Sequence, residues 1–297
     1  MMTDLPTNDQ FLYAGRADRG SPLLYVFGTA AAIASLFAGL ALLGRVPAAV
    51  FDALPGLHLF SYLFPVAAVL TATRLLHGRP MRSVLGPWPT WRQMILAMLA
   101  GLAAHGLFTV LASGGEAKPG AIFTDPVVAR LALFLFAAYG AQVLAEEVLS
   151  RGYMLQGAAR VWSRPAVAVA VSAVLFGLLH VPGYFLDGNQ AEHGWLWKLA
   201  FHLPWAIVIG GIFGVWAVLG GNIWLPTLGH LMSNAGFLLI DYGPQAENAD
   251  ATFQAVILGL RPLSDLVIFG LFTLIMFPPR RQVWSPLIGQ RPATSAA

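Results

Sequence analysis

The sequence predicts an all-α fold, that of a polytopic integral membrane protein with about eight transmembrane helices. Hydrophobic residues make up 57% of the 297 residues and charged residues only 10%, against about 45–50% and about 25% in ordinary soluble domains. The apolar residues are collected in long runs that contain few charges. Nine Trp and nineteen Phe exclude a disordered chain.

The chain contains no Cys, which excludes a disulfide scaffold, thiolate zinc, an iron–sulfur cluster and a cysteine nucleophile. The net charge of +3 does not indicate nucleic-acid binding, because the 17 Lys and Arg are scattered between apolar runs. The positive-inside rule for membrane proteins explains the positions of these basic residues better.

A membrane-spanning helix needs about 20 mostly apolar residues, because the hydrocarbon core is about 30 Å thick and each helical residue rises about 1.5 Å. The first, third and sixth of the candidate runs are the clearest, the fourth contains two glutamates and the eighth is short. The eight predicted spans are Leu23–Leu43, Leu57–Leu76, Trp91–Leu111, Val127–Leu149, Pro165–Pro182, Trp197–Leu219, Asn222–Ile240 and Leu263–Phe277.

The basic residues predict an orientation. With the N-terminus in the cytoplasm, twelve of the 17 Lys and Arg lie inside and five outside, as the positive-inside rule expects. We therefore expect a multi-pass protein of the inner (plasma) membrane with both termini cytoplasmic. Residues 1–22 form the predicted N-terminal segment, 23–279 the transmembrane helical domain and 280–297 the C-terminal tail.

Three polar clusters lie within or at the ends of these spans. Ionisable side chains are costly in lipid, so they mark candidate functional sites. Each cluster places side chains four residues apart, which puts them on one helix face. The clusters are Glu146-Glu147 with Arg151, Phe176 with His180, and His230 with Asn234.

Helical spacing separates the two glutamates. Glu147 and Arg151 can form an ion pair along the helix, while Glu146 lies about 100° around and can face a central cavity. If the fourth helix ends near Arg151, Glu146 is only about 8 Å deep, whereas His180 is about 24 Å deep. If that helix continues to Arg160, Glu146 is about 21 Å deep and the levels match. Arg151 is then an embedded charge that Glu147 must neutralise.

This set of residues suits hydrolysis of an amide bond. A shielded carboxylate can act as a base toward water and then as an acid toward the leaving amine. Histidines can hold the water, directly or through a metal, and an Asn amide can donate to the oxyanion. The strings H-E-x-x-H, G-x-S-x-G and Gly-x-Gly-Asp are absent, which leaves a glutamate-activated water, with or without a metal.

The three clusters, in this order, resemble the CPBP family, the CAAX proteases and bacteriocin-processing enzymes that are also called Abi-type membrane proteins. The family pattern is E-E-x-x-x-R, then F-x-x-x-H, then H-x-x-x-N, on separate membrane helices. The resemblance covers about Val127 to Ile240, the expected catalytic core. It implies an eight-helix membrane fold whose helices enclose a catalytic cavity reached largely from the cytosolic side.

The resemblance also implies roles for the motif residues. Glu146 would activate water and His180 would help to position it. His230 and Asn234 would bind water or metal and stabilise the oxyanion. The catalytic set that the resemblance implies is Glu146, Glu147, His180, His230 and Asn234, and Glu147 would also shape the site together with Arg151 and Phe176.

Cofactor and partner expectations follow from the same resemblance. Zn²⁺ bound by Glu146, His180, His230 and Asn234 and a metal-free glutamate mechanism are equally open. The expected partners are a peptide or protein substrate and membrane lipid, with no nucleic acid. Prenylation of the substrate and the oligomeric state stay open.

A different class of function competes with the protease. The polar clusters would also suit a non-enzymatic membrane scaffold, an immunity-type protein or a proton-coupled transporter. The chain shows no duplicated halves, which disfavours a transporter. Of the histidines outside the motifs, His202 lies within the sixth run and could reach the cavity.

Overall fold

The computed structural model describes residues 11–12, 14, 21–112, 118–162, 164–186, 194–241, 251–279, 283–284 and 287. Most of these residues are helical, and two strands of two residues each form the described sheet. The predicted all-α class is therefore confirmed. The predicted N-terminal segment 1–22 and tail 280–297 lie largely outside the described residues.

Among the described residues, eight main helices carry the fold, and short helical turns lie between several of them. The main helices are α1 Leu23–Leu43, α2 Leu57–Leu75, α3 Trp91–Ala112, α4 Pro126–Val161, α5 Pro165–Leu186, α6 Lys198–Gly220, α7 Trp224–Asn234 and α8 Ala251–Met276. The short turns are Ala48–Ala53, Arg82–Leu85, Ala121–Thr124, Gly194–Trp197 and Gly236–Leu238. The strands are β1 Lys118–Pro119 and β2 Ile240–Asp241, paired antiparallel.

Within the described part of the chain, six helices are long and apolar enough to cross a membrane by length and composition. They are α1 to α6, and each overlaps one of the first six predicted spans. The chain is a multi-pass membrane protein.

Helix α4 corrects the predicted fourth span, which was expected to end at Leu149. It continues for 36 residues to Val161, with a π-helical segment at Val148–Met154. No Pro lies between Leu149 and Val161, and the charge of Arg151 is neutralised within the helix by Glu147. The helix ends only where Trp162 becomes extended, shortly before Pro165. The continuation that matches the depths of Glu146 and His180 is thus the one observed.

Helix α7 corrects the predicted seventh span Asn222–Ile240, since it has only 11 residues and rises about 16 Å. Gly221, with φ of 67°, ends α6, and the Asn222 side chain accepts the backbone N–H groups that open α7. After Asn234 the chain tightens into a 3₁₀ turn. There Gly236 lies so close to the His105 ring that a Cβ atom would overlap it.

Two further predicted spans are shorter than the observed helices. Helix α5 passes Pro182 and ends at Leu186. The predicted eighth span Leu263–Phe277 belongs to the 26-residue helix α8, which begins at Ala251. Charged side chains do not end α8, because Arg261 and Asp265 form a pair one turn apart, with Nε 3.7 Å from Oδ2.

Close helix contacts position the later site. Helix α5 packs along α6, where Gly210 faces Ala173 of α5. Helix α3 packs along α7, where Gly101 faces the Gly229 carbonyl. Buried Phe213, Trp216 and Phe269 fill the space between α6, α7 and α8. Residues on α4, α5, α6 and α7 are thereby held around one central space.

Candidate active site

A cavity of about 170 Å³ lies between α4, α5, α6 and α7. Five residues of the predicted motifs line it, from three different helices. They are Glu146, Phe176, His180, His230 and Asn234. Helix α6, which carries no predicted motif, supplies a fourth wall. The further lining residues are Gln142, His202, Trp205, Ile209, Phe213 and Ser233.

Glu147 connects the motifs from behind the cavity. Its side chain is fully buried, and Oε1 accepts hydrogen bonds from Arg151 Nη1 at 2.9 Å and from His230 Nδ1 at 2.9 Å. The expected ion pair with Arg151 is therefore present, and the contact with His230 is an addition to it. One carboxylate oxygen fixes both the guanidinium of α4 and the imidazole of α7.

Arg151 ties three helices together, although it is completely buried. It donates to Ser150 Oγ at 2.7 Å and, through Nη2, to the Gly210 carbonyl of α6 at 3.2 Å. Its Cζ lies 4.2 Å from the centroid of the Phe176 ring of α5, a cation–π contact. Phe176 thus supports Arg151 on one side and lines the cavity on the other.

Glu146 faces the cavity itself. Its Oε1 accepts a hydrogen bond from Gln142 Nε2 at 3.0 Å, and its Oε2 lies 3.7 Å from His230 Nε2. The latter distance is too long for a direct hydrogen bond. The side chain is 16% exposed. The carboxylate is therefore oriented by a neighbour while one oxygen stays open to a ligand.

His180 presents one ring nitrogen to the cavity. Its Nδ1 donates to the Phe176 carbonyl at 2.9 Å, which leaves Nε2 as an acceptor in the neutral ring. The Phe176 ring packs edge-on against the imidazole, with centroids 4.8 Å apart. The backbone of α5 thus fixes the tautomer of His180.

Of the six lining residues outside the motifs, three carry polar groups and were not singled out in the sequence: Gln142, Trp205 and Ser233. Gln142 lies four residues before Glu146 in an apolar run, so spacing alone could have shown it. Trp205 and Ser233 carry no such signal, because indole and hydroxyl groups are common in membrane helices. Asn234, which was expected, is the last residue of α7 and lines the cavity beside Ser233.

The side chains that could bind zinc do not lie together as a complete set of three ligands in the part of the chain that the structure describes. A catalytic zinc ion takes three protein ligands and leaves one position for water or substrate. Among the described residues there is no group of three or more His, Cys, Asp and Glu side chains that could hold a metal ion. Glu146 and His230 bring two ligand atoms within 3.7 Å. Zinc at Glu146, His180, His230 and Asn234 stays a prediction, which metal analysis of the purified protein with and without a chelator would test.

Apolar helices thus enclose a carboxylate, three histidines and an asparagine in one cavity of a membrane protein. Residues 128–236 match the family model described as Type II CAAX prenyl endopeptidase Rce1-like, which confirms the resemblance to the CPBP and CAAX protease family. The matched segment runs from α4 through α7 and contains every motif residue. No curated protein and no solved structure matches the chain.

Proposed function

We propose that the protein is an intramembrane endopeptidase of the CAAX-protease type that uses a water molecule activated by Glu146. The family match supports such an endopeptidase in general. The observation that carries the mechanism is the position of Glu146 in the cavity, with Oε2 3.7 Å from His230 Nε2. His180 and Asn234 line the same space.

Glu146 is the base of this mechanism. Gln142 occupies Oε1, so Oε2 is the oxygen that takes a proton from water. His180 Nε2, an acceptor, holds the second hydrogen of that water and directs its lone pair at the substrate carbonyl. General-base assistance of this kind contributes about 10²–10⁴-fold to the rate.

His230 and Asn234 stabilise the negative charge that develops on the carbonyl oxygen. Glu147 accepts the Nδ1 hydrogen of His230 and so orients the ring, which donates to the oxyanion from Nε2 when that nitrogen carries a proton. The Asn234 amide is the second donor. Loss of one donor of this type costs about 10²–10³-fold in kcat in other hydrolases.

Collapse of the tetrahedral intermediate completes the reaction. The carbon–nitrogen bond breaks, and the proton that Glu146 took from water passes to the leaving amine. The products are a carboxylic acid and an amine, and Glu146 returns to its ionised form. One water molecule is consumed for each peptide bond that is cut.

The substrate in this proposal is a peptide or protein that reaches the cavity in the inner membrane, from the cytosolic side. The matching family model is described as a prenyl endopeptidase. A fluorescent peptide with a farnesylated Cys three residues before its C-terminus is therefore the first substrate to test.

Glu146→Gln should abolish cleavage of this peptide by protein in lipid vesicles, because an amide cannot take a proton from water. The fold should persist, since Gln keeps the size of the side chain and can still contact Gln142. Asp52→Asn, a change at an exposed carboxylate after α1, is the matched control and should cleave at the wild-type rate. Cleavage is followed by mass spectrometry of the products.

Unchanged cleavage by Glu146→Gln would remove the proposed base. If the wild-type protein cuts no peptide, and the Glu146→Gln variant no longer binds a partner protein that the wild type binds, the non-enzymatic scaffold is favoured instead.

A further inference from the structure

His202 lies at the end of a π-helical segment. Lys198–His202 forms this segment before the regular part of α6 begins at Leu203. π-helical turns are rare and occur frequently at functional sites. His202 lines the cavity, and its ring centroid is 5.5 Å from that of His180. The cavity therefore contains a third histidine that belongs to none of the motifs.

Aromatic side chains hold the His202 ring on both sides. The ring of Tyr184, from α5, lies 5.3 Å away, and the ring of Trp205, one turn further along α6, lies 4.8 Å away. Trp205 is fixed in turn, because its indole N–H donates to Asp265 of α8 at 2.6 Å. The position of His202 is thus set by α5, α6 and α8 together.

The hydrogen bonds of Tyr184 and Trp205 leave the Nε2–H of His202 as a donor that can face a ligand in the cavity. The indole N–H of Trp205 is occupied by Asp265. The Tyr184 hydroxyl contacts His202 Nδ1 at 2.5 Å, and with the hydroxyl as donor the neutral ring carries its proton on Nε2. That N–H has no hydrogen-bond partner among the described residues. His202 is partly buried and lines the cavity, so this N–H is available to a ligand that offers an acceptor.

A carbonyl oxygen is a suitable acceptor for the Nε2–H of His202. His202 lies beside the Trp205 ring and shares the cavity wall with Ile209, and a carbonyl oxygen is easier to bury beside such groups than a carboxylate. A peptide that enters the cavity offers backbone carbonyl groups on both sides of the bond to be cut.

We propose that His202 is a substrate-binding residue whose Nε2–H donates a hydrogen bond to a backbone carbonyl of the bound peptide. Tyr184 is a positioning residue that holds the required tautomer. This inference rests on the proposed function and adds a residue that recognises the peptide backbone to the groups that act on the scissile bond.

The test measures peptide binding and cleavage separately, with the full-length protein in lipid vesicles and the farnesylated fluorescent peptide. Binding is measured by anisotropy in the Glu146→Gln background, where no turnover interferes. His202→Phe should weaken binding about tenfold, because the carbonyl then loses its donor. His202→Gln, which keeps an N–H donor, should stay within about threefold of the parent, and Tyr184→Phe should fall between the two.

With Glu146 intact, His202→Phe should raise KM about tenfold and leave kcat within about threefold, the pattern expected for lost substrate binding. The control is His58→Phe, at an exposed histidine in the first turn of α2, and it should change neither constant. A merely structural role for His202 would lower the yield of folded protein without a selective change in KM.

Equal binding by the parent and His202→Phe, including no binding by either, would overturn the assignment, and so would a His202→Gln variant as weak as His202→Phe. Failure of the proposed function looks different. In that case the peptide binds and responds to His202, but it is not cleaved, or it is cleaved equally well without Glu146.

Discussion

The neighbouring residues Glu146 and Glu147 have opposite surroundings, although their side chains are chemically identical. Glu147 is fully buried between Arg151 and His230, whereas Glu146 opens into the cavity. A turn of about 100° per residue produces this difference. The pairing of Glu147 with Arg151 was predictable from spacing alone. The bond from His230 to Glu147 was not, because it depends on how α7 is placed against α4.

Arg151→Met should destabilise the protein strongly, because it leaves Glu147 as a buried charge whose cationic partner on its own helix is gone. Breaking a buried pair by removing one partner costs about 3–5 kcal/mol. The double variant Glu147→Gln with Arg151→Met should recover part of that loss, since no unpaired carboxylate then remains. Thermal unfolding of the purified variants in detergent measures both effects. A double variant no more stable than Arg151→Met alone would show that the charge of Glu147 is not the cause.

At the scale of helices, the sequence predicted where apolar segments begin better than where they end. The first three spans match the observed helices to within a residue, because loops with Pro and Gly bound them. The fourth was expected to end early, since Arg151 resembles a residue at a membrane surface. In the fold its charge is satisfied by Glu147 and by the Gly210 carbonyl. Such compensation comes from tertiary contacts, which a single sequence does not show.

Helix α7 is held in place by backbone contact with α3, and a small substitution there should disturb the site. In Gly101→Ala the new Cβ would overlap the Gly229 carbonyl oxygen, so α7 must shift together with His230 and Asn234. We expect cleavage to fall at least about tenfold, because a misplacement of about 1 Å can cost about 10²-fold in rate. The thermal unfolding temperature should fall as well.

The matched control is Gly140→Ala, in α4, where no atom lies within 4 Å of the added Cβ. Alanine favours a helix over glycine by about 1 kcal/mol, so this variant should be as stable as the parent or more stable, with unchanged cleavage. Equal effects of the two substitutions would show that general helix propensity, rather than the contact between α3 and α7, determines the result.

At the scale of the whole molecule, strands β1 and β2 hold together two loops that are far apart in the sequence, the loop after α3 and the loop after α7. Lys118 pairs with Asp241 and Pro119 with Ile240, so the chain after α3 meets the chain after α7. His105 of α3 also donates to the Ile240 carbonyl at 2.9 Å. The two loops must therefore lie on the same side of the membrane. Helix α7 is too short to cross alone, so a crossing at this point would need residues 235–240 as well, and irregular backbone at membrane depth is tolerated where protein surrounds it.

Because the loops after α3 and α7 are paired, the chain must cross the membrane an even number of times between them. The orientation predicted from the basic residues can be tested at single positions. The chain has no Cys, and therefore one introduced thiol is the sole target of a membrane-impermeant maleimide. Asp52→Cys, after α1, should react in intact spheroplasts, because the loop between α1 and α2 is expected outside. Met81→Cys, at a residue 45% exposed between α2 and α3, should react only after the membrane is opened. The reverse pattern would contradict the cytoplasmic N-terminus. Labelling of both positions from one side would contradict the crossing by α2, and with it the even count that places the loops after α3 and α7 on the same outer face.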